Sequence, residues 1–597
     1  MAAFTTRPEI RGSFGVATST HWIASAVGFG ILEKGGNAFD GAVAAGLVLQ
    51  VVEPHLNGPA GDLPIIFHSA QTDETKVICA QSVAPAAATI EHYRAQGLTL
   101  IPGSGLLATV VPGAFDGWML LLRDHGTMNL RDALQPAIDC ARDGHPVLPR
   151  VANTIAGLAD YFATEWPSSA AVWTPDGTAP KPNANFKNPD LAATYERLVS
   201  EAEASAQDRV AQIDAARSVW SEGFISDAIC YYLKDACVHD VSEQKNSAVL
   251  AREDLANWSA NYESTESYIY HGWTVHKTEA WSQGPVFLQS LAILKHFDLA
   301  AMDPMGEEFV HTVIEAMKLA YADREAYYGD PDHSIVPMEI LLSDSYNAGR
   351  AKEISDRSSM EQRPGFIASL EHLAQAYLRR ATCDFGVENA VPQEPTMAHL
   401  TEKRGDTVHL DVIDRWGNMV SATPSGGWLQ SSPVIPGLGF PLNSRAQMFW
   451  LEDGLPTSLA PHRRPRTTLT PSLAEKFDGT RLVFGTLGGD QQDQWQLIWF
   501  LRFVHHGLDL QAGMDAPLFH SMHFQGSFFP REALPGEMMI EPNFGEDVIE
   551  GLRKRGHIVT VAEPWSVGRL TAALRHPDGS LQAAATPRLM QAYAVGR

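Results

Sequence analysis

Cysteine is scarce, with five residues among 597: Cys79, Cys140, Cys230, Cys237 and Cys383. No two form a C-x-x-C pair, which excludes a disulfide scaffold and a zinc ribbon. Positive charge is also short. Lys+Arg 45 against Asp+Glu 70 leaves a net charge of −25, a surface that repels phosphate backbones and anionic membranes, so neither nucleic acid nor a membrane is expected as a partner. Long apolar runs are missing: the densest, 41–52, is broken by glycine and too short to span a bilayer. Residues 1–20 have no basic stretch followed by an apolar core, so no secretory signal is read and a cytoplasmic protein is expected. The G-x-S-x-G elbow, H-E-x-x-H, the P-loop and the dinucleotide fingerprint are all absent. His505-His506 precedes Gly507 with no carboxylate or cysteine cluster beside it, which favours a helix end over a metal site. No metal and no organic cofactor are expected.

What is present is an ordinary globular mixture, 45% hydrophobic and 19% charged, in a chain too long for one core. A short strand over 14–18 leads into helices over 21–34 and 38–52, separated by Gly35-Gly36-Asn37, a helix-ending signal. The region 110–380 reads mostly as helix, most clearly at 307–328, where Phe309, Val313, Met317, Ala320 and Tyr321 recur at helical spacing. Residues 384–406 are polar and irregular. The period then changes: Val408, Leu410 and Val412 alternate with His409 and Asp411, a strand with one buried face. Arg415-Trp416-Gly417-Asn418 makes a turn, so 407–423 reads as a hairpin. A strand over 481–486 enters Gly488-Gly489, and a helix opens beyond it. The pattern predicts a layered α/β protein whose antiparallel sheets lie between helices.

The informative segment is Gly405-Asp406-Thr407, a polar linker that delivers a threonine to the start of a strand. A threonine hydroxyl is a poor nucleophile without a base beside it. Cutting the chain before the threonine supplies one, because its own α-amine titrates near pH ~7.7–8.0. Spacing alone favours an ordinary strand-start threonine.

Several separated stretches together resemble the gamma-glutamyltransferase family of N-terminal nucleophile hydrolases. They are Glu33-Lys34-Gly35-Gly36-Asn37-Ala38, Val51-Val52-Glu53-Pro54-His55, Val111-Pro112-Gly113, the run from Glu315 to Arg324, Gly329-Asp330-Pro331, Gly405-Asp406-Thr407 through Gly417-Asn418, Arg464-Pro465-Arg466-Thr467-Thr468 and Gly488-Gly489. They fall in the family's order over nearly the whole chain. The resemblance implies a four-layered αββα sandwich with a largely helical large-subunit region. It implies a proenzyme cut by itself between Asp406 and Thr407 into a large subunit, 1–406, and a small subunit, 407–597. The stretch 384–406 is then a flexible linker before the cut.

Carried over by position, Thr407 is the nucleophile and Gly488 and Gly489 form the oxyanion hole, a role suited to two unhindered N–H groups at a helix start. Thr423 and Ser425 lie where the family keeps hydroxyls near the nucleophile; plain strand polarity reads them equally well. Thr467 and Thr468 replace a serine pair that contacts substrate carboxylate. Asp490 is read as a helix cap ahead of a substrate contact.

The departures concern substrate. Glutathione-using members place an Arg where this chain has Ile90, with Arg94 one turn on, and an acid where it has Met448. A cation, Arg445, stands close by and would pair with a substrate carboxylate or form a structural salt bridge. These features resemble the oxamate amidohydrolase and cephalosporin acylase branch. The expected function is therefore an autoprocessing amidohydrolase that cleaves an amide of a small carboxylate-bearing substrate through an acyl-enzyme. A true glutathione hydrolase with a rebuilt pocket and an unprocessed binding subunit are the alternatives. The expected partners are a small-molecule substrate and the two subunits of one precursor, a unit compatible with pairing into a dimer.

Overall fold

The computed structural model describes residues 4–383 and 407–597; the 384–406 linker and Asp406 lie outside the described residues. Two seven-stranded antiparallel sheets form the centre. One runs, in spatial order, Tyr593–Gly596, Gly15–Ser19, Leu410–Asp414, Met419–Ala422, Leu63–Ser69, Glu74–Ala80 and Asn261–Glu263. The other runs Ile10–Gly12, Leu581–Ala585, Leu570–Arg575, Arg481–Thr486, Ser472–Lys476, Trp273–Lys277 and Glu266–Tyr270. Their inner faces meet through Val16, Ile66, Ile413, Leu473, Val483 and Ala573. Helices Trp22–Glu33, Ala38–Val52 and Ala114–His125 cover the first sheet, and Pro285–Leu294 and Gln492–His506 cover the second. This is the αββα layering that the family resemblance implies, and it agrees with the antiparallel sheets between helices read from the sequence pattern.

Local rules account for the elements nearest the site. Ala38–Val52 is buried along its whole length, and it starts with a capping box in which Asn37 accepts from Asp40 N and Asp40 accepts from Asn37 N. The hairpin pairs Leu410 with Ala422 and Ile413 with Met419. Its turn is closed by Asp414 Oδ1, which accepts from the backbone N–H of Trp416, Gly417 and Asn418. The second Asp414 oxygen accepts from Ala38 N at 2.9 Å, tying the turn to the helix start.

Three expectations change. The strand Leu410–Asp414 has two buried faces: Val408, Leu410 and Val412 pack under the helices, while His409 and Asp411 face the second sheet. In a sandwich, polar alternation marks the inner layer as readily as solvent. Thr407 sits three residues ahead of the strand, with the ladder continued by Val408 N donating to Pro424 O at 3.1 Å. The region 110–380 supplies strands as well as helices, since Glu266–Tyr270 and Trp273–Lys277 form an edge hairpin turned at His271-Gly272, both with positive φ.

Candidate active site

Thr407 lies at the open end of the first sheet's third strand, between Gly15–Ser19 and Met419–Ala422. It is fully buried. Its Oγ donates to Ser425 Oγ at 3.2 Å and accepts from Gln492 Nε2 at 3.4 Å. Ser425 is fixed in turn by two backbone bonds, its O to Asp62 N at 2.8 Å and its N to Asp62 O at 3.0 Å. Thr423, two residues away, serves another partner. Its hydroxyl meets His409 Nδ1 at 2.8 Å, and His409 Nε2 meets Asp411 Oδ1 at 3.0 Å. Asp411 Oδ2 accepts from Thr18 at 3.0 Å and from Thr571 at 2.8 Å, so this polar chain staples the two sheets behind Thr407.

The glycine turn approaches from the second sheet. Strand Arg481–Thr486 ends, Gly488 takes φ +121° and Gly489 φ +55°, and a short 3-10 turn runs into helix Gln492–His506. A Cβ on Gly488 would lie 2.3 Å from the Trp495 ring, so only glycine fits there. Backbone N–H groups at such a helix opening favour negative charge. Gln492, the first residue of that helix, carries the turn to within reach of Thr407.

Asp490 neither caps the helix nor stands free for a substrate. Its Oδ1 accepts from Arg324 Nη1 at 2.5 Å and Ser527 Oγ at 2.6 Å, and its Oδ2 from Ser527 N at 2.8 Å. Tyr321 OH donates to Asp490 O at 2.6 Å. The helix Glu307–Tyr327 thus clamps the turn from behind. Lys277 pairs with Asp493 at 2.9 Å one turn later, where burial pushes the Asp493 carboxyl up to about 6 against the pull of Lys277.

The main substrate candidate, Arg445, joins the site through Asp62, whose backbone holds Ser425. Arg445 is buried, with Nε 2.8 Å from Asp62 Oδ2 and Nη2 2.9 Å from Asp62 Oδ1. Among the described residues its Nη1 meets only the Met448 sulfur, at 3.8 Å, and the Trp428 ring lies beneath the guanidinium. Burial raises the Asp62 carboxyl, and Arg445 pulls it back down. Ile90 packs with Ala446 and Phe449 in one small cluster, next to this turn. Arg94 points elsewhere, donating to Leu451 O at 2.7 Å from a half-exposed position. Thr467 Oγ accepts from Leu469 N at 3.4 Å, whereas Thr468 Oγ is buried with no hydrogen-bond partner among the described residues. Asp62, Gln492, Tyr321 and Arg324 received no site role from the sequence, although Tyr321 and Arg324 lie in a stretch that carries the family resemblance. Asp62 ends the Asn57–Asp62 loop and Gln492 opens a helix, and at both places such residues read as surface polarity.

A buried acid, Glu53, caps the C-terminal end of the helix Ala38–Val52. Burial pushes Glu53 up to about 7 from an ordinary 4.5, against hydrogen bonds from Thr20 and Gln591 and the charge of Arg150. An acid whose folded pKa is raised stabilises fully below its unfolded pKa, and that contribution is lost as pH rises through the folded one. Wild-type thermal stability should therefore fall between about pH 4.5 and 7, and Glu53→Gln should flatten that fall. Parallel melting curves for the two proteins over this range would contradict the assignment.

Comparison with known proteins finds matches over nearly the whole chain. The family model described as Gamma-glutamyltranspeptidase matches residues 24–596. A solved structure, "Structure of LmbA2991HD", is 50% identical, superposes with a TM-score of 0.91 and covers 100% of both chains. The glutathione hydrolase-like YwrD proenzyme of Bacillus subtilis is 28% identical over 97% of this chain and 98% of its own. The oxamate amidohydrolase proenzyme of Klebsiella pneumoniae is 28% identical over 96% of this chain and 97% of its own.

Proposed function

Because the chain belongs to the gamma-glutamyltranspeptidase family of hydrolases and acyltransferases, we propose that it matures by cutting itself between Asp406 and Thr407 and then hydrolyses an amide of a small carboxylate-bearing molecule. Relatives described as proenzymes support processing of one precursor into two chains. The observation that carries the reading is the meeting at Thr407 Oγ of Ser425 from one sheet and Gln492 from the glycine-turn helix of the other.

The sequence of steps follows from that geometry. Thr407 Oγ attacks the substrate carbonyl while its α-amine takes the hydroxyl proton. The tetrahedral oxyanion is held by the N–H groups of Gly488 and Gly489. The ammonium passes its proton to the departing amine nitrogen, leaving an ester on Thr407. Water, deprotonated by the same amine, attacks that ester and releases the acid. Ser425 fixes the rotamer of Thr407, and Thr423 supports the strand through His409.

The substrate wall narrows the choice. Neither Ile90 nor Met448 can pair a charge, so a γ-glutamyl zwitterion would lose solvation at two groups without compensation. One edge of Arg445 is taken by Asp62, and its Nη1 is left to a weak sulfur contact that one substrate carboxylate can replace. The Asp62 pairing also decides the experiment. Arg445→Ala would strand a buried carboxylate, which costs about 3–5 kcal/mol of stability. Asp62→Asn combined with Arg445→Gln removes both charges, the first at unchanged volume and the second with a shorter side chain. The double variant should fold and raise KM for monocarboxylate amides by about 10- to 100-fold. Efficient hydrolysis of γ-glutamyl-p-nitroanilide by wild type and double variant alike would favour a glutathione hydrolase instead.

A further inference from the structure

Gln492 touches the reacting oxygen with one end of its side chain, and the other end has no hydrogen-bond partner among the described residues. It is fully buried. Its Nε2 donates to Thr407 Oγ at 3.4 Å, while its Oε1 is enclosed without a hydrogen-bond partner among the described residues. Buried acceptors are almost always satisfied in folded proteins, so an enclosed one beside a nucleophile needs a donor to account for it. The bond broken in maturation adds donors there, because the single peptide N–H of Thr407 becomes an amine with two or three N–H groups that can turn toward Oε1. That amine stands on the same residue whose hydroxyl Gln492 already holds. The two ends of one carboxamide lie close enough together to meet the nitrogen and the Oγ of one threonine.

We propose that Gln492 is a residue of the reaction centre, holding Thr407 Oγ through Nε2 and accepting a hydrogen from the freed α-amine of Thr407 through Oε1. The inference rests on the proposed maturation at Thr407 and adds what that maturation lacks, a group that orients the base. A free amine rotates about its bond to Cα, and it accepts the hydroxyl proton only when its lone pair points at Oγ. An acceptor on one N–H fixes that rotation. The position is suited to the task, because Gln492 lies in the first turn of the helix that the glycine turn opens. One short segment then sets both the base and the oxyanion donors.

The test uses the cut, full-length protein with Gln492→Glu and Gln492→Met. Reductive methylation of the Thr407 α-amine across about pH 6 to 10, counted by mass spectrometry, gives that amine's titration without relying on turnover. A carboxylate at the same reach favours the charged amine. Gln492→Glu should therefore move the midpoint, and the acid limb of kcat/KM with it, up by about one pH unit. Gln492→Met should lower kcat by about 10-fold or more with KM little changed. If Gln492→Met stays uncut, Gln492→Glu, which keeps the side-chain length, carries the decision. A titration midpoint and acid limb identical to wild type in Gln492→Glu would overturn the proposal, even with activity reduced, because packing alone moves neither. Full activity of a wild-type protein with no free Thr407 amine would overturn the maturation reading as well.

Discussion

Thr407→Ala is expected to remain a single full-length chain and to lose activity by a factor on the order of 10⁴ or more. The substitution removes the atom that attacks the Asp406–Thr407 bond and the atom that attacks the substrate, so both results come from one change. The fold should survive. The lost hydroxyl hydrogen-bonds with Ser425 and Gln492 among the described residues, and such losses cost about 1–3 kcal/mol when a buried partner is left unsatisfied. Thr407→Ser keeps the hydroxyl and should still be cut. Denaturing gels and steady-state rates on the same preparations check all three statements. A cut Thr407→Ala chain would place the nucleophile elsewhere.

Gly488→Ala is the second large effect. Gly488 holds φ +121°, outside the range that a residue with a Cβ adopts readily, and that Cβ would meet the Trp495 ring at 2.3 Å. Trp495 is itself buried under the second sheet, so the turn must move. The clamp behind it resists: Arg324, Ser527 and Tyr321 hold Asp490 through four hydrogen bonds to its two carboxylate oxygens and its carbonyl. Strain and overpacking of this kind cost about 1–3 kcal/mol. Displacing one oxyanion donor lowers kcat by about 10²–10³. Gly489→Val tests the same hole from the next residue, where φ is +55°. A folded Gly488→Ala with wild-type kcat would mean that the oxyanion is held somewhere else.

The fold was largely legible because its cues are local. Asn37 and Asp40 form the capping box that a Gly-Gly-Asn break announces, and Asp414 with Gly417 closes the hairpin turn. The edge hairpin at 266–277 went unread because it lies within a region of helical composition, and its alternating burial shows only in the structure. The candidate site divides differently. Thr407, Gly488 and Gly489 are picked out by the family resemblance and not by spacing, since a threonine at a strand start and a double glycine at a turn are ordinary by themselves. Asp490 and Arg445 do not reveal their roles, since their partners are distant in the chain: Arg324 lies 166 residues from Asp490, and Asp62 lies 383 residues from Arg445. A buried ion pair of that span leaves no periodic trace. His409 and Asp411 mislead for another reason, because an inner face between two sheets carries the same alternation as a wet one.

The most direct measurement is tandem mass spectrometry of the wild-type protein quenched during turnover of a slow monocarboxylate amide. The account predicts a smaller chain that begins at Thr407 and carries the substrate's acyl group on the Thr407 side chain as an ester. Acyl mass on any other residue, or turnover by a chain uncut at Asp406–Thr407, would contradict it.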